Sequence, residues 1–448
     1  MKPIEVLKSP FFATSTVTEI YRGRFTLKVD DLSIDLEGSL NIDLNKRPRI
    51  TFDGIERNNN SSTHIDMLKT YDIATSEGHA GKVLVSHRFQ NSDGHFLQGA
   101  FTTPLFHATS QTMIDKTRFH LVNYEETKLG KPILLEEAVD NHSSYLGGIN
   151  LWYKEWSIQI QMRYDYKSEQ IFESLKNTEG FAFTHVGEIS RTTNEPYSKE
   201  EVEAVLKILK WSLCLCAGRY VGIGIISHFA NDSVIDEEFR QEIASPYKYI
   251  FNWFPKHRPE LLQDVFYQLS EIMKDPFMTL QIIENIIWNI EVSNETNIQK
   301  QVILSQASIE SLMFLLWTEK KPKRLSRTKF NSLGNASEKI IKTLEILQID
   351  SRLPKDLNLP SEKFDQIKSG PNLLSNFRNS IAHPSRQDKY QMLDIWEKWK
   401  IAAIGKYYQE MMLLYLIDYQ GEYSNLLKLP EWEGTYGLVP WARNSKNN

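Results

Sequence analysis

Cleaving RNA without a metal needs two groups held close together. One is an imidazole, the side chain whose protonation changes near neutral pH, and the other is a permanent cation that can hold a phosphate as charge builds on it. The stretch Arg378-Asn379-Ser380-Ile381-Ala382-His383-Pro384 offers both, five residues apart, and His383 is the only histidine after His257. Two other places have similar spacing. Arg57 and His64 flank the polar run Asn58-Asn59-Asn60-Ser61-Ser62, and Arg88 and His95 flank Asn91-Ser92-Asp93-Gly94, a turn signal between strand-like runs. Both are read as accidents, because neither lies on a helix. Only the Arg378 match has helical context on both sides.

That context comes from the residues around it. Pro371 suits a first helical turn, where its missing amide goes unneeded. Leu374, Phe377 and Ile381 recur at three and four, so this side should pack inward, while Asn379 and His383 share another face. On an ideal helix Arg378 and His383 diverge by about 140°. Pro384 pushes its predecessor out of the α region, so His383 is expected at a frayed end where its ring can turn back. Otherwise, two copies of the motif would enclose a substrate between them. Alternatively, Arg378 simply pairs with a carboxylate such as Glu310, and His383 ends a helix where the dipole favours it.

The remaining elements set up a two-part chain. The first ~190 residues alternate like strands, as in Leu40, Ile42, Leu44 and in Trp156, Ile158, Ile160, Met162. The runs Lys82–Phe89 and His95–Thr102 form a hairpin pair, and turns are expected at Asp53-Gly54, Asp93-Gly94 and Gly147-Gly148. Ser198 and Glu201 predict a capping box opening a helix, with Gly218 as its C-cap and Tyr220–Ile226 as a short buried strand. Helices are expected over 261–274, up to Leu316, over 336–349, over 371–383 and over 388–419. The last should bury Leu393, Trp396, Ala403, Tyr407, Leu414 and Ile417. The expected fold is α+β: a β-rich domain over 1–195, sandwich or open-barrel-like, a mixed connecting region over 196–257, and an all-α bundle over 258–448.

Arg-Asn-x-x-x-His near the end of a helical domain resembles the signature of HEPN-domain ribonucleases, carried here by Arg378, Asn379 and His383. The upstream run Lys329–Leu333 leading into Glu338–Ile341, the links at Leu353-Pro354 and Leu359-Pro360, and the long final helix look like the HEPN domain of ApeA-type anti-phage proteins. Those also carry a β-rich N-terminal domain. The resemblance covers the last ~190 residues closely and the first part in architecture alone. It implies a homodimer whose paired motifs line one cleft. His383 would act as general base or acid, Arg378 would hold the nonbridging oxygens, and Asn379 would orient the histidine or the substrate. The RNA 2′-OH would attack, with no metal or cofactor, leaving 2′,3′-cyclic phosphate and 5′-OH ends. It further implies abortive infection through cleavage of cellular RNA such as tRNA, with a phage-derived trigger acting on the N-terminal domain. The alternatives are a non-catalytic RNA-binding or oligomerising scaffold and the toxin half of a toxin–antitoxin pair.

Composition narrows the classes further. A net charge of −5 gives no global attraction to nucleic acid, so RNA contact must be local. The run Lys320-Lys321-Pro322-Lys323-Arg324-Leu325-Ser326-Arg327-Thr328-Lys329 is a weak candidate, readable equally as a solvated loop after a helix. Cys214 and Cys216, the only cysteines, fit two buried thiols in a reducing cytoplasm. No signal peptide or membrane span is expected. The histidines before His257 show no metal-ligand spacing, and no P-loop or nucleophile elbow is present.

Overall fold

The computed structural model describes residues 3–5, 14–56, 65–91, 94–108, 113–125, 131–134, 145–163, 168–357, 359–360, 364–383, 388–428 and 436–442. The chain forms two compact units, one of Met1–Lys210 with Tyr220–Tyr249, the other of Trp211–Arg219 with Ile250–Asn448. The expected connecting region 196–257 is therefore shared between them. An antiparallel, sheet-rich N-terminal part followed by a helical C-terminal part makes the fold α+β.

Six antiparallel strands begin the first unit: β1 (Val17–Val29), β2 (Leu32–Asp43), β3 (Arg49–Glu56), β4 (Thr70–Thr75), β5 (His79–Asn91) and β6 (Gly94–Phe101). They run in the order β4-β1-β2-β3-β6-β5, and β5 pairs back to β4, so the ring closes rather than staying open. Closure removes edges that would otherwise template further pairing. Inward residues such as Phe25, Leu27, Leu36, Phe52, Tyr71 and Leu97 fill one buried cluster. The expected turn at Asp53-Gly54 lies instead inside β3. Gly54 faces Gly38 across the β2–β3 ladder, and a Cβ on Gly38 would strike the Asp53 backbone, so glycine here permits a close strand approach. Gly147-Gly148 likewise sits within a strand, not a turn. Asp93 lies outside the described residues.

Through β7 (Leu105–Ala108), which pairs with β5, the ring joins an open sheet. Its order is β7-β14-β13-β8-β12-β11-β10-β9. These are β8 (Lys116–Val122), β9 (Lys131–Leu134), β10 (Tyr145–Tyr153), β11 (Trp156–Met162), β12 (Phe183–Arg191), β13 (Gly222–Ala230) and β14 (Ser233–Phe239). Helix α1 spans Ser168–Thr178 and α2 spans Lys199–Ala217. The predicted capping box opens α2. The Ser198 amide donates to Glu201 Oε2 at 2.9 Å, and the Glu201 amide donates to Ser198 Oγ at 3.3 Å. Gly218 ends it at φ +64°, a left-handed value that glycine adopts freely.

Three histidines are buried in this sheet. Burial holds His120 down to about 3, with Arg118 adding to it, and holds His185 down to about 3. Burial also holds His228 down to about 4, against the opposing pull of Asp236. Each folded value lies below the unfolded one, near 6.5, so the stability they contribute is present above that pH and lost as pH falls through the folded values. Acid titration followed by hydrogen exchange should show the sheet protection falling between pH 6 and 4. His120→Leu should flatten that fall, since neither ring nitrogen of His120 finds a hydrogen-bond partner.

The second unit contains α3 (Leu262–Ile272), α4 (Pro276–Asn294), α5 (Ile298–Thr318), α6 (Arg327–Asn331), α7 (Ala336–Ile346), α8 (Gly370–Ala382), α9 (Asp388–Gln391) and α10 (Ile395–Leu416). A small hairpin, Glu422–Ser424 with Tyr436–Leu438, follows. Its centre is α5 against α10, where Ile309, Leu312, Met313 and Leu316 are buried along with Ile404, Tyr408, Met411 and Met412. Each such side chain contributes roughly 1.5–3 kcal/mol. The single helix expected over 388–419 is in fact α9 and α10. Asp394 breaks it, because its carboxylate caps the Glu397 amide at 2.8 Å and starts a new helix in a new phase. Leu393 is still buried, but Trp396 is 69% exposed, contrary to the expected buried stripe.

A polar layer crosses this apolar centre. Gln409 Nε2 donates to Ser308 Oγ at 2.9 Å, and Ser308 Oγ reaches Asn285 Oδ1 at 3.4 Å. One turn along, Lys406 and Glu410 form a buried pair at 3.9 Å, with the ammonium also on the Phe251 carbonyl oxygen. Burial pushes Glu410 up to about 7 against the pull of Lys406, and burial lowers Lys406.

Candidate active site

Helix α8 carries the Arg–His motif as expected. Ser369 caps it by accepting from the Asn372 amide at 3.3 Å, and Pro371 occupies its first turn. Leu373, Leu374, Phe377 and Ser380 are buried, which fixes the helix rotation. A Cβ on Gly370 would meet Tyr408 and Ile404, and one on Gly405 would meet Leu374 and Ser305. Further along α8, Phe377 packs against Tyr390 with ring centroids 5.1 Å apart, so the end of α8 lies by the segment that leads into α10.

His383 is the last residue described before 388 and lies at the helix end, with φ −126° and ψ 101°. Its amide still donates to the Asn379 carbonyl at 3.0 Å, so the helix is intact up to the residue that leaves it. Pro384 lies outside the described residues. The extended conformation is what a residue preceding proline should adopt. The His383 side chain is open to solvent.

Arg378 is half-buried, and its Nη1 donates to Asn379 Oδ1 at 3.2 Å. Among the described residues the guanidinium has no carboxylate partner. Glu310, the candidate partner, instead accepts from Gln306 Nε2 at 3.2 Å. A cation without a counter-charge, anchored by a neutral amide, keeps its charge available to an anion. The Asn379 oxygen is turned to Arg378, which leaves its amide NH₂ as the group able to face a ligand.

The basic run is placed quite differently. Lys320 Nζ donates to the carbonyls of Tyr415 and Leu416 at 3.0 and 2.8 Å and pairs with Asp418 at 2.7 Å, so it caps the C-terminus of α10. Lys323 and Arg327 both pair with Glu319, at 3.1 and 2.8 Å, and Arg324 donates to the Tyr415 hydroxyl at 2.7 Å. Lys321 and Lys329 are exposed. Lys320→Ala should therefore lower the stability of the helical unit by about 1–2 kcal/mol, while Lys321→Ala leaves it unchanged. Urea denaturation of both variants checks this.

Arg57 and His64 lie outside the described residues. Arg88 and His95, expected to be unrelated, fall on one face of the β5–β6 hairpin as diagonal neighbours, since Arg88 faces Leu97 and Gln90 faces His95. Trp152 is exposed, whereas Trp156 is buried against Tyr197 with ring centroids 4.9 Å apart. Cys214 and Cys216 are buried thiols. Among the described residues no three His, Cys, Asp or Glu side chains gather as a metal site, and no helix is long and apolar enough to cross a membrane.

Two family models match parts of this chain. Residues 275–437 match the YopA C-terminal domain, and residues 109–250 match the YopA central domain. The likeness is to YopA. The SPbeta prophage-derived uncharacterized protein YopA of Bacillus subtilis (strain 168) is 28% identical over 432 residues, covering 94% of each chain. No solved structure matches. The YopA C-terminal match runs from α4 to the final hairpin and contains Arg378, Asn379 and His383. The YopA central match begins at residue 109, immediately after β7, so the six-stranded ring precedes both matched segments.

Sequence reasoning missed Trp396 and Trp399, exposed on the first turns of α10. The signal was Asp394. Read as an N-cap, it resets the helical phase and turns both indoles outward.

Proposed function

We propose that this chain is a metal-independent endoribonuclease of HEPN type, resembling the ApeA anti-phage proteins. The observation that carries this reading is the pairing at the end of α8. Arg378 is a guanidinium with no carboxylate partner among the described residues, and His383 is released from the helix into solvent one residue beyond its last turn. The 2′-OH of the RNA attacks the adjacent phosphorus. His383 takes its proton or returns one to the departing 5′-oxygen, and Arg378 holds the nonbridging oxygens as their charge grows. Asn379 fixes the guanidinium and offers its amide NH₂ to the substrate.

Each copy supplies one such pair, and two copies complete a symmetric cleft through the helical unit. In this reading the β-rich unit senses a phage-derived trigger, and cleavage of cellular RNA, tRNA included, halts growth in the cytoplasm. The prophage origin in the name of the Bacillus subtilis protein supports placing that role in the conflict between phage and host. Purified protein incubated with total RNA in EDTA should yield fragments, and DNA of the same sequence should stay intact because it lacks the nucleophile.

A further inference from the structure

We infer that Trp396 and Trp399 form a stacking platform for unpaired bases of RNA, beside the Arg378–His383 end of α8. The inference rests on the reading of the helical unit as one that acts on RNA, and it names the form of RNA that is held. In the first turns of α10, Ile395, Trp396 and Trp399 are exposed at 63%, 69% and 41%. At about 100° per residue these three lie within one arc of about 100°. Glu397 occupies the opposite side and is buried. Lys398 and Lys400 fall on either flank of the exposed arc, so the indoles lie between two lysines. Lys400 is tethered to the Asp356 carbonyl oxygen at 2.5 Å and pairs with the carboxylates of Asp356 and Glu397 at 3.6 and 3.7 Å, whereas among the described residues Lys398 has no carboxylate partner and is the cation left for a phosphate.

An apolar stripe on a helix could equally be covered by a second copy of this chain. The flanking lysines argue against that occupant, because the centres of protein–protein interfaces are depleted in lysine. Aromatic faces bordered by cations are instead the arrangement that holds single strands, with bases on the rings and phosphates on the charges. Phe377 packs on Tyr390, five residues before α10, with ring centroids 5.1 Å apart, which brings the start of α10 toward the Arg378–His383 end of α8. Duplex RNA, whose bases are already stacked, cannot use such a surface.

The test is fluorescence anisotropy of the full chain with labelled 2′-O-methyl oligouridylate, which has no free 2′-OH and stays uncut. The wild type should bind this strand more tightly than a 2′-O-methyl duplex of equal length. The Trp396→Ala/Trp399→Ala double variant should bind it about tenfold or more weakly with an unchanged salt slope, and Trp396→Phe/Trp399→Phe should recover most of the loss. Equal binding by the alanine variant overturns the platform. So does a change from dimer to monomer in light scattering of that variant, which would assign the face to a second copy. Tight, tryptophan-dependent binding with no cleavage of ordinary RNA supports the platform and removes the ribonuclease reading alone. Cleavage with binding indifferent to the tryptophans does the reverse.

Discussion

Arg378→Ala and His383→Ala are each expected to cut RNA at least a hundredfold more slowly than the wild type. Loss of a positioned proton-transfer group typically costs 10²–10⁴ in rate, and loss of a preorganised charge on the transition state costs roughly 10²–10³. The fold should survive both changes. His383 lies beyond the last helical turn with an exposed side chain, and among the described residues the Arg378 side chain donates to its own neighbour Asn379. Circular dichroism and light scattering should therefore match the wild type, which separates lost chemistry from lost structure. Arg378→Lys should recover only part of the rate, because an ammonium keeps the charge but not the planar fork that matches two phosphate oxygens. Asn379→Ala is expected to fall between, since it frees the guanidinium without removing it. Initial rates on one defined RNA, with all four variants at equal concentration, check the order.

Lys406→Ala is expected to produce the largest change in stability, and one that depends on pH. Lys406 and Glu410 are buried together between α10 and the segment at Phe251, so removing the lysine leaves a carboxylate with no counter-charge. Breaking a buried pair in this way costs about 3–5 kcal/mol. Burial has already raised Glu410 to about 7, above its unfolded value near 4.5. The sign follows from proton uptake. The folded state holds the carboxyl proton to higher pH than the unfolded state, so this group favours folding below the unfolded value and that contribution fades as pH rises through the folded one. Without Lys406 the carboxyl is pushed higher still. The deficit should be small at pH 5, where Glu410 is neutral, and reach its full size near pH 9. Urea titrations at the two pH values measure it, and an equal deficit at both would contradict the assignment. Lys406→Met with Glu410→Leu should restore stability or exceed the wild type, because an apolar pair carries no desolvation cost.

What the sequence disclosed follows a physical division. Local chemistry was readable. Ser198 with Glu201 announced the start of α2, Gly218 announced its end, and Pro371 with Pro384 framed the motif helix, because each acts through neighbours three or four residues away. Long-range pairing was not readable. Nothing in Thr70–Thr75 specifies that it joins β1 on one side and β5 on the other, and this closes the ring. Gly54 reads as a turn in isolation and becomes part of a strand only because Gly38 lies opposite. Lys320 reads as a free cation until α10, about 95 residues later in the chain, presents its last carbonyls to it. The site divides along the same line. Arg378 and His383 were visible from their spacing and helical setting, while the absence of a counter-charge on Arg378 among the described residues and the exposure of Trp396 depend on which helices pack around them.

End-group analysis of RNA fragments made by the wild type and by His383→Ala in EDTA tests the central claim most directly. The wild type should give 2′,3′-cyclic phosphate and 5′-OH ends, and the variant almost no fragments. Cleavage that persists at full rate in His383→Ala, or wild-type fragments ending in 3′-OH and 5′-phosphate, would contradict it.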